Sequence, residues 1–113
     1  MNSSLDSWFI LTDIGILDET KAALRLLLII YKSERPLGRE DIFDSIYREY
    51  GVARTAVYTA LRACIKLGLI YEKPVRIGRN PRPTLLHFLT DKGKRVAKII
   101  AELEKALEER TGE

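Results

Sequence analysis

The sequence predicts a mainly α domain (α+β): three short helices, a two-stranded hairpin and a long C-terminal helix. Three observations carry this. Apolar residues recur at helical spacing in four separate stretches. Two segments rich in strand formers, about Leu69 to Arg76 and Thr84 to Thr90, flank IGRNPRP (77–83), which Gly and Pro keep out of a strand. Basic charge is concentrated: residues 53–90 carry seven Lys/Arg against the single acid Glu72, a net of +6, whereas the whole chain is only +3.

The elements follow in order. Residues 1–17 form an N-terminal arm or short helix, with Trp8-Phe9-Ile10-Leu11 apolar and Asp13 and Gly15 interrupting. Trp8 and Phe9 are too large to leave in water, so they should pack on something. The first helix is expected from about 19 to 32, with Asp18 as N-cap and Glu19 where the helix dipole favours an anion. Leu24, Leu26, Leu27, Leu28, Ile29 and Ile30 leave it almost no polar face. Such a helix is covered on more than one side, the second cover being another subunit. SERPLG (33–38) reads as a connector. Helix two, about 39–50, carries Ile42, Phe43, Ile46 and Tyr50, and Gly51 is placed to end it. Helix three runs from near Ala53 to Gly68. The last helix starts after Thr90, a good N-cap, and reaches about Glu109. Its Val96, Ile100, Leu103 and Leu107 are spaced 4, 3, 4, a short coiled-coil seam. Those four could pack only on helix one of the same chain, but at nearly 20 residues the helix spans about 30 Å, longer than a three-helix core covers, so the seam is read as a dimer contact.

Composition narrows the function. At 113 residues the chain fits one domain with a modest core. No apolar run approaches the roughly 18 residues of a membrane span, and no secretory signal is visible. One cysteine, Cys64, excludes an internal disulfide and fits a reducing cytoplasm. One His and one Cys cannot build a zinc site. No metal, cofactor, membrane partner or enzymatic activity is expected, and no effector ligand is specified. Absent Gln and only two Asn among many charges tilt toward a thermophilic source.

Helices two and three, joined by about three residues around Gly51, have the form of a helix-turn-helix unit. In helix three Val57, Leu61, Cys64 and Ala60 should point inward. The opposite stripe is Arg54, Thr55, Tyr58, Thr59 and Arg62. It offers guanidinium forks for guanine edges and hydroxyls for phosphates or bases, although a stripe like this is also what a merely solvated face looks like. Lys73, Arg76, Arg79 and Arg82 lie in or beside the hairpin. Two prolines stiffen its turn, and extended Arg suits a minor groove; a charged turn that only keeps an edge hairpin soluble is the bland alternative. Six such cations on phosphates would give a salt slope of roughly −5.

These residues carry a family likeness. TAVYTALRACIKLGLIYE (55–72) and LTDKGKRVAKII (89–100) resemble winged helix-turn-helix transcriptional regulators of the MarR, PadR and ArsR-like group, of the small archaeal type. The likeness covers about 25–113. It implies a three-helix core with a two-stranded wing in 18–90 and a dimerisation helix in 91–113. It implies double-stranded DNA as partner, through Arg54, Thr55, Tyr58, Thr59 and Arg62 in the major groove and Arg76, Arg79 and Arg82 at the wing tip. It also implies a homodimer formed by the terminal helices, a regulatory role, usually repression, and a place at the nucleoid. Two departures stand out. Ile65 and Leu67 make the end of helix three unusually apolar, which suggests an extra contact, and the arm with Trp8 and Phe9 has no counterpart.

Other readings are an architectural or partition-type DNA binder with little sequence preference, and a winged-helix module for an acidic protein partner. Cys64 falls on the buried side, where a thiol is inert rather than a redox sensor. His87, between Leu86 and Phe88, is expected at the surface or across from a neighbouring strand. Asp41, Asp44 and Glu49 read as a solvated face, with no cleft for a catalytic pair.

Overall fold

The computed structural model describes residues 15–17, 20 and 22–109. Trp8, Phe9, Asp18 and Glu19 lie outside them, and with them the expected arm contacts and the Asp18 cap. Among the described residues the order is α1 (Ala23–Lys32), β1 (Leu37–Gly38), α2 (Arg39–Tyr50), α3 (Arg54–Lys66), β2 (Ile70–Val75), β3 (Thr84–Leu89) and α4 (Asp91–Glu108). The strands make one antiparallel sheet in the order β1-β3-β2. This is a winged helix-turn-helix, as the sequence predicts.

The first helix starts later than the periodicity suggests. Residues 15–17 are helical, and the Ile16 carbonyl accepts both the Thr20 amide (3.0 Å) and the Thr20 hydroxyl (2.6 Å). Ala22 then adopts φ 75°, a left-handed conformation that costs a residue with a Cβ of order 1 kcal/mol. The chain turns there, and α1 begins at Ala23. The expectation of a helix apolar all round is also corrected. Leu24 and Tyr31 are exposed, while Ala23, Leu26, Leu27, Leu28 and Ile30 are buried within the single chain. No second subunit is needed to cover α1, because α2, α3, α4 and β3 surround it.

Leu26, Leu27, Ile42, Ile46, Val57, Leu61, Cys64 and Ile70 form the centre of the core. Each large aliphatic side chain buried this way contributes about 1.5–3 kcal/mol. Ile65 and Leu67 pack at the edge of the same core, which is the extra contact their apolar character suggests.

Part of the connector becomes structure. Leu37 and Gly38 pair with His87 and Leu86, so the last two residues of 33–38 supply the third strand. The Asp41 carboxylate accepts the Gly38 amide (3.3 Å) and starts α2. Gly51, at φ 68°, ends α2 and returns its amide to the Tyr47 carbonyl (2.8 Å). Buried Val52 anchors the turn into α3.

β2 and β3 pair from Ile70↔Leu89 to Val75↔Thr84. β2 is an edge strand, with Pro74 in it. Tyr71 and Phe88 stack across the outer face, ring centroids 5.2 Å apart. The inner face brings Glu72 opposite His87. His87 is fully buried, not at the surface, although the cross-strand expectation is met. Nδ1 lies 3.1 Å from the Leu37 carbonyl and Nε2 lies 2.9 Å from the Glu72 carboxylate. One imidazole thus links all three strands.

The β3–α4 junction grips the α3–β2 turn. The Thr90 amide donates to the Leu69 carbonyl (3.0 Å), and its hydroxyl to the Gly68 carbonyl (2.6 Å). The same hydroxyl oxygen caps α4 by accepting the Gly93 amide (2.9 Å), and Lys92 Nζ donates to the Leu67 carbonyl (3.1 Å). The sequence stretches 67–70 and 89–93 are two halves of one joint. Farther along, α4 crosses α1, where Lys32 Nζ meets Glu104 at 2.8 Å.

Candidate nucleic-acid interface

α3 sorts its residues as its periodicity requires. Val57, Ala60, Leu61 and Cys64 are buried, whereas Arg54, Thr55, Tyr58, Thr59 and Arg62 are all exposed along one stripe. The stripe is already hydrogen-bonded within itself. Arg62 Nη1 donates to the Tyr58 hydroxyl (3.2 Å), and its guanidinium carbon lies 5.6 Å from that ring's centroid. Arg39, at the start of α2, lies 5.5 Å from the same ring. Tyr58 therefore spaces two cations through cation–π contacts. The Thr59 hydroxyl donates to the Thr55 carbonyl (3.0 Å), so its own proton is spent and its free lone pair accepts.

Arg54 differs from the others. Nη2 and Nη1 donate to the two carboxylate oxygens of Glu40 at 2.9 and 3.1 Å. The guanidinium also sits 4.7 Å from the centroid of the Phe43 ring. Hydrogen bonds from Arg54 hold the Glu40 carboxyl below the usual carboxylate range, and the same bonds raise the guanidinium further. Both side chains are largely exposed, 60% for Arg54 and 68% for Glu40, so solvent screens the pair.

In the hairpin, Lys73, Arg76, Arg79 and Arg82 are exposed. None of the four has an ion-pair partner among the described residues. The tip is ordered by local bonds. Gly78 takes φ 60°, the Asn80 amide returns to the Ile77 carbonyl (3.3 Å), and Asn80 Oδ1 accepts the Arg82 amide (3.2 Å). Helix stripe and hairpin meet through the α2 N-terminus. A surface cleft there is lined by Gly38, Arg39, Glu40, Asp41, Thr84 and Leu85. Arg39 thus touches the stripe through Tyr58 and lies beside the base of the hairpin. Sequence reasoning missed Arg39 and Glu40, because a polar first helical turn looks like ordinary capping. The available signal was two opposite charges, at 40 and 54, each at the N-terminus of a helix in one helix-turn-helix.

The C-terminal seam divides in two. Val96 and Ile100 are partly buried against the chain's own core. Leu103 and Leu107 are exposed at 52% and 76%, joined by Ile99 at 64%, which the spacing argument left out. The exposed apolar stripe is therefore Ile99, Leu103 and Leu107.

Cys64 is fully buried, and desolvation pushes its thiol up to about 12 from an ordinary 9.0. An alkylating reagent at pH 8 should modify the native protein orders of magnitude more slowly than the urea-unfolded chain; equal rates would contradict the burial. The neutral thiol's contribution to stability should be complete below about pH 9 and be lost progressively as pH climbs toward 12. Among the described residues no group of three or more His, Cys, Asp and Glu is placed to hold a metal. No helix among them is long and apolar enough to cross a membrane.

No family model and no curated protein matches this sequence. Solved structures do match in fold. A possible HxlR family transcriptional factor from Thermoplasma volcanium superposes with a TM-score of 0.64 at 21% identity, covering 81% of this chain and 75% of that one. A PadR family transcription regulator from Clostridium difficile gives 0.63 at 15% identity, covering 76% and 90%. The adhesin competence repressor from Streptococcus pyogenes gives 0.63 at 15% identity, covering 94% and 69%.

Proposed function

We propose that this chain is a sequence-specific, double-stranded DNA-binding transcription regulator that acts as a homodimer and represses. What supports this is the run Arg62, Tyr58 and Arg39, which continues through the cleft at the α2 N-terminus, where Glu40, Asp41 and Leu85 also lie, to a hairpin whose four cations have no ion-pair partner among the described residues. In this reading residues 18–90 are the DNA-binding unit. Thr55, Tyr58, Thr59 and Arg62, with Arg54, face the major groove, and Lys73, Arg76, Arg79 and Arg82 follow the flanking backbone and minor groove. The fold is that of proteins described as transcription factors and a repressor.

Residues 91–113 are the dimerisation arm. Ile99, Leu103 and Leu107 are its contact stripe, with Val96 and Ile100 as the base on which it rests, and Trp8 and Phe9, outside the described residues, are assigned to the same interface. Two-fold symmetry then requires a near-palindromic site with half-sites about one helical turn apart. A nucleoid location follows from DNA binding.

The test is selection of a best duplex from random oligonucleotides, followed by joint substitution of Arg54, Tyr58 and Arg62 by Ala. At about 1–3 kcal/mol for each good base contact, affinity for the selected site should fall at least 100-fold. An unchanged affinity overturns the reading stripe, and equal affinity for random DNA makes the protein a coating protein instead. Leu103→Lys with Leu107→Lys should give monomers by light scattering; an unaltered dimer would move the interface elsewhere.

A further inference from the structure

The Glu40–Arg54 pair is unexpected on a surface meant for a polyanion. A carboxylate facing phosphates is repelled, and it removes the attraction of the cation it holds. The geometry points to a purpose for that cost. Arg54 gives one N–H from each Nη to Glu40. A guanidinium has five donors, so three remain: Nε–H and one outer N–H on each Nη. One side-on fork, Nε with an outer Nη, is therefore still available while the pair stays intact. Stacking on Phe43 holds the plane of the guanidinium in place.

We propose that Glu40 is a specificity-determining residue. It neutralises Arg54 toward phosphates and leaves the remaining fork for a neutral double acceptor, the O6/N7 edge of a guanine. The discrimination is electrostatic. A phosphate approaching the pair meets +1 and −1 close together and gains little from the cation. The guanine edge carries no net charge, so it is not repelled by the carboxylate and takes full advantage of local hydrogen bonds. Random DNA, bound through phosphates alone, thus sees one cation fewer than the exposed Lys and Arg suggest. This inference rests on the DNA-binding reading above.

The experiment compares wild type, Glu40→Gln, Arg54→Ala and the double variant on the selected duplex and on a random duplex, across a salt series. Both side chains are exposed, so folding should be preserved, and matching thermal midpoints check it. With Gln at 40, Arg54 becomes a free cation. The slope of log K against log salt on random DNA should steepen by about 0.9, one added phosphate contact. Random-duplex affinity should rise several-fold at low salt, and the ratio of selected to random affinity should fall. Arg54→Ala in the Glu40→Gln background should return the random-DNA slope to that of wild type. An unchanged slope and ratio in Glu40→Gln, or a steeper slope that survives loss of Arg54, overturns the inference while leaving DNA binding standing. Failure of wild type to bind any duplex at low salt would overturn the proposed function itself, and this inference with it.

Discussion

Gly93→Ala should destabilise the domain by about 3 kcal/mol or more, although glycine sits in a helix where alanine is normally better. A Cβ at Gly93 would lie 2.0 Å from the Leu69 carbonyl oxygen, 2.9 Å from its carbonyl carbon and 3.2 Å from its Cα. All three atoms are backbone, held by the Thr90 amide on that same oxygen. Nothing flexible is available to yield. The propensity gain from Gly to Ala is at most about 1 kcal/mol, smaller than overpacking costs of this kind. The first turn of α4 must back away from the α3–β2 turn, and the bonds from Thr90 and Lys92 to residues 67–69 should weaken together. Urea unfolding should show a lower midpoint with little change in slope. A midpoint equal to or above wild type would mean that α4 does not depend on this close approach.

The second large effect is expected at His87, the one buried polar side chain among the described residues. Each ring nitrogen faces an oxygen acceptor, one a backbone carbonyl and one a carboxylate. Replacing His87 with Leu keeps bulk but removes both ring nitrogens from these contacts. Glu72 is partly exposed and can turn to water, so most of the penalty falls on the enclosed Leu37 carbonyl. The cost should be about 2–4 kcal/mol, an unmet buried acceptor plus imperfect packing. Its distribution is diagnostic. Because the imidazole ties β1 to the wing, amide exchange in β1 and β3 should rise more than in α3. A loss spread evenly over the chain would show that the ring is ordinary core filling.

Much of this molecule was legible from residue spacing, and the exceptions have physical causes. The inward set of α3 follows from spacing alone, since a 13-residue helix against one core has one possible dry side. Thr90 as N-cap followed from chemistry within four residues. β1 was hidden because a two-residue strand after Pro36 has no period to detect, and its partner is about 50 residues away. The burial of His87 was hidden because alternation shows which residues share a face, not which face is dry. The Glu40–Arg54 pair was hidden for a similar reason. Counting charge treats each cation as free, and only the fold brings position 40 against position 54. The seam residues on α4 divide between the chain's own core, Val96 and Ile100, and solvent, Leu103 and Leu107. Heptad spacing finds a stripe, but where the helix leaves its own core is set by the position of α1, and that moved the exposed set onto Ile99.

The proline in the outermost strand has a consequence for assembly. A strand with one side open invites another chain to zip onto it through main-chain amides. Pro74 lacks the donor such zipping needs, and edge prolines turn their nitrogen toward solvent. An added strand would meet one missing donor in this edge, which disfavours main-chain augmentation by a second copy or by a foreign peptide. Contacts made by its projecting side chains, Lys73 among them, do not draw on that missing donor.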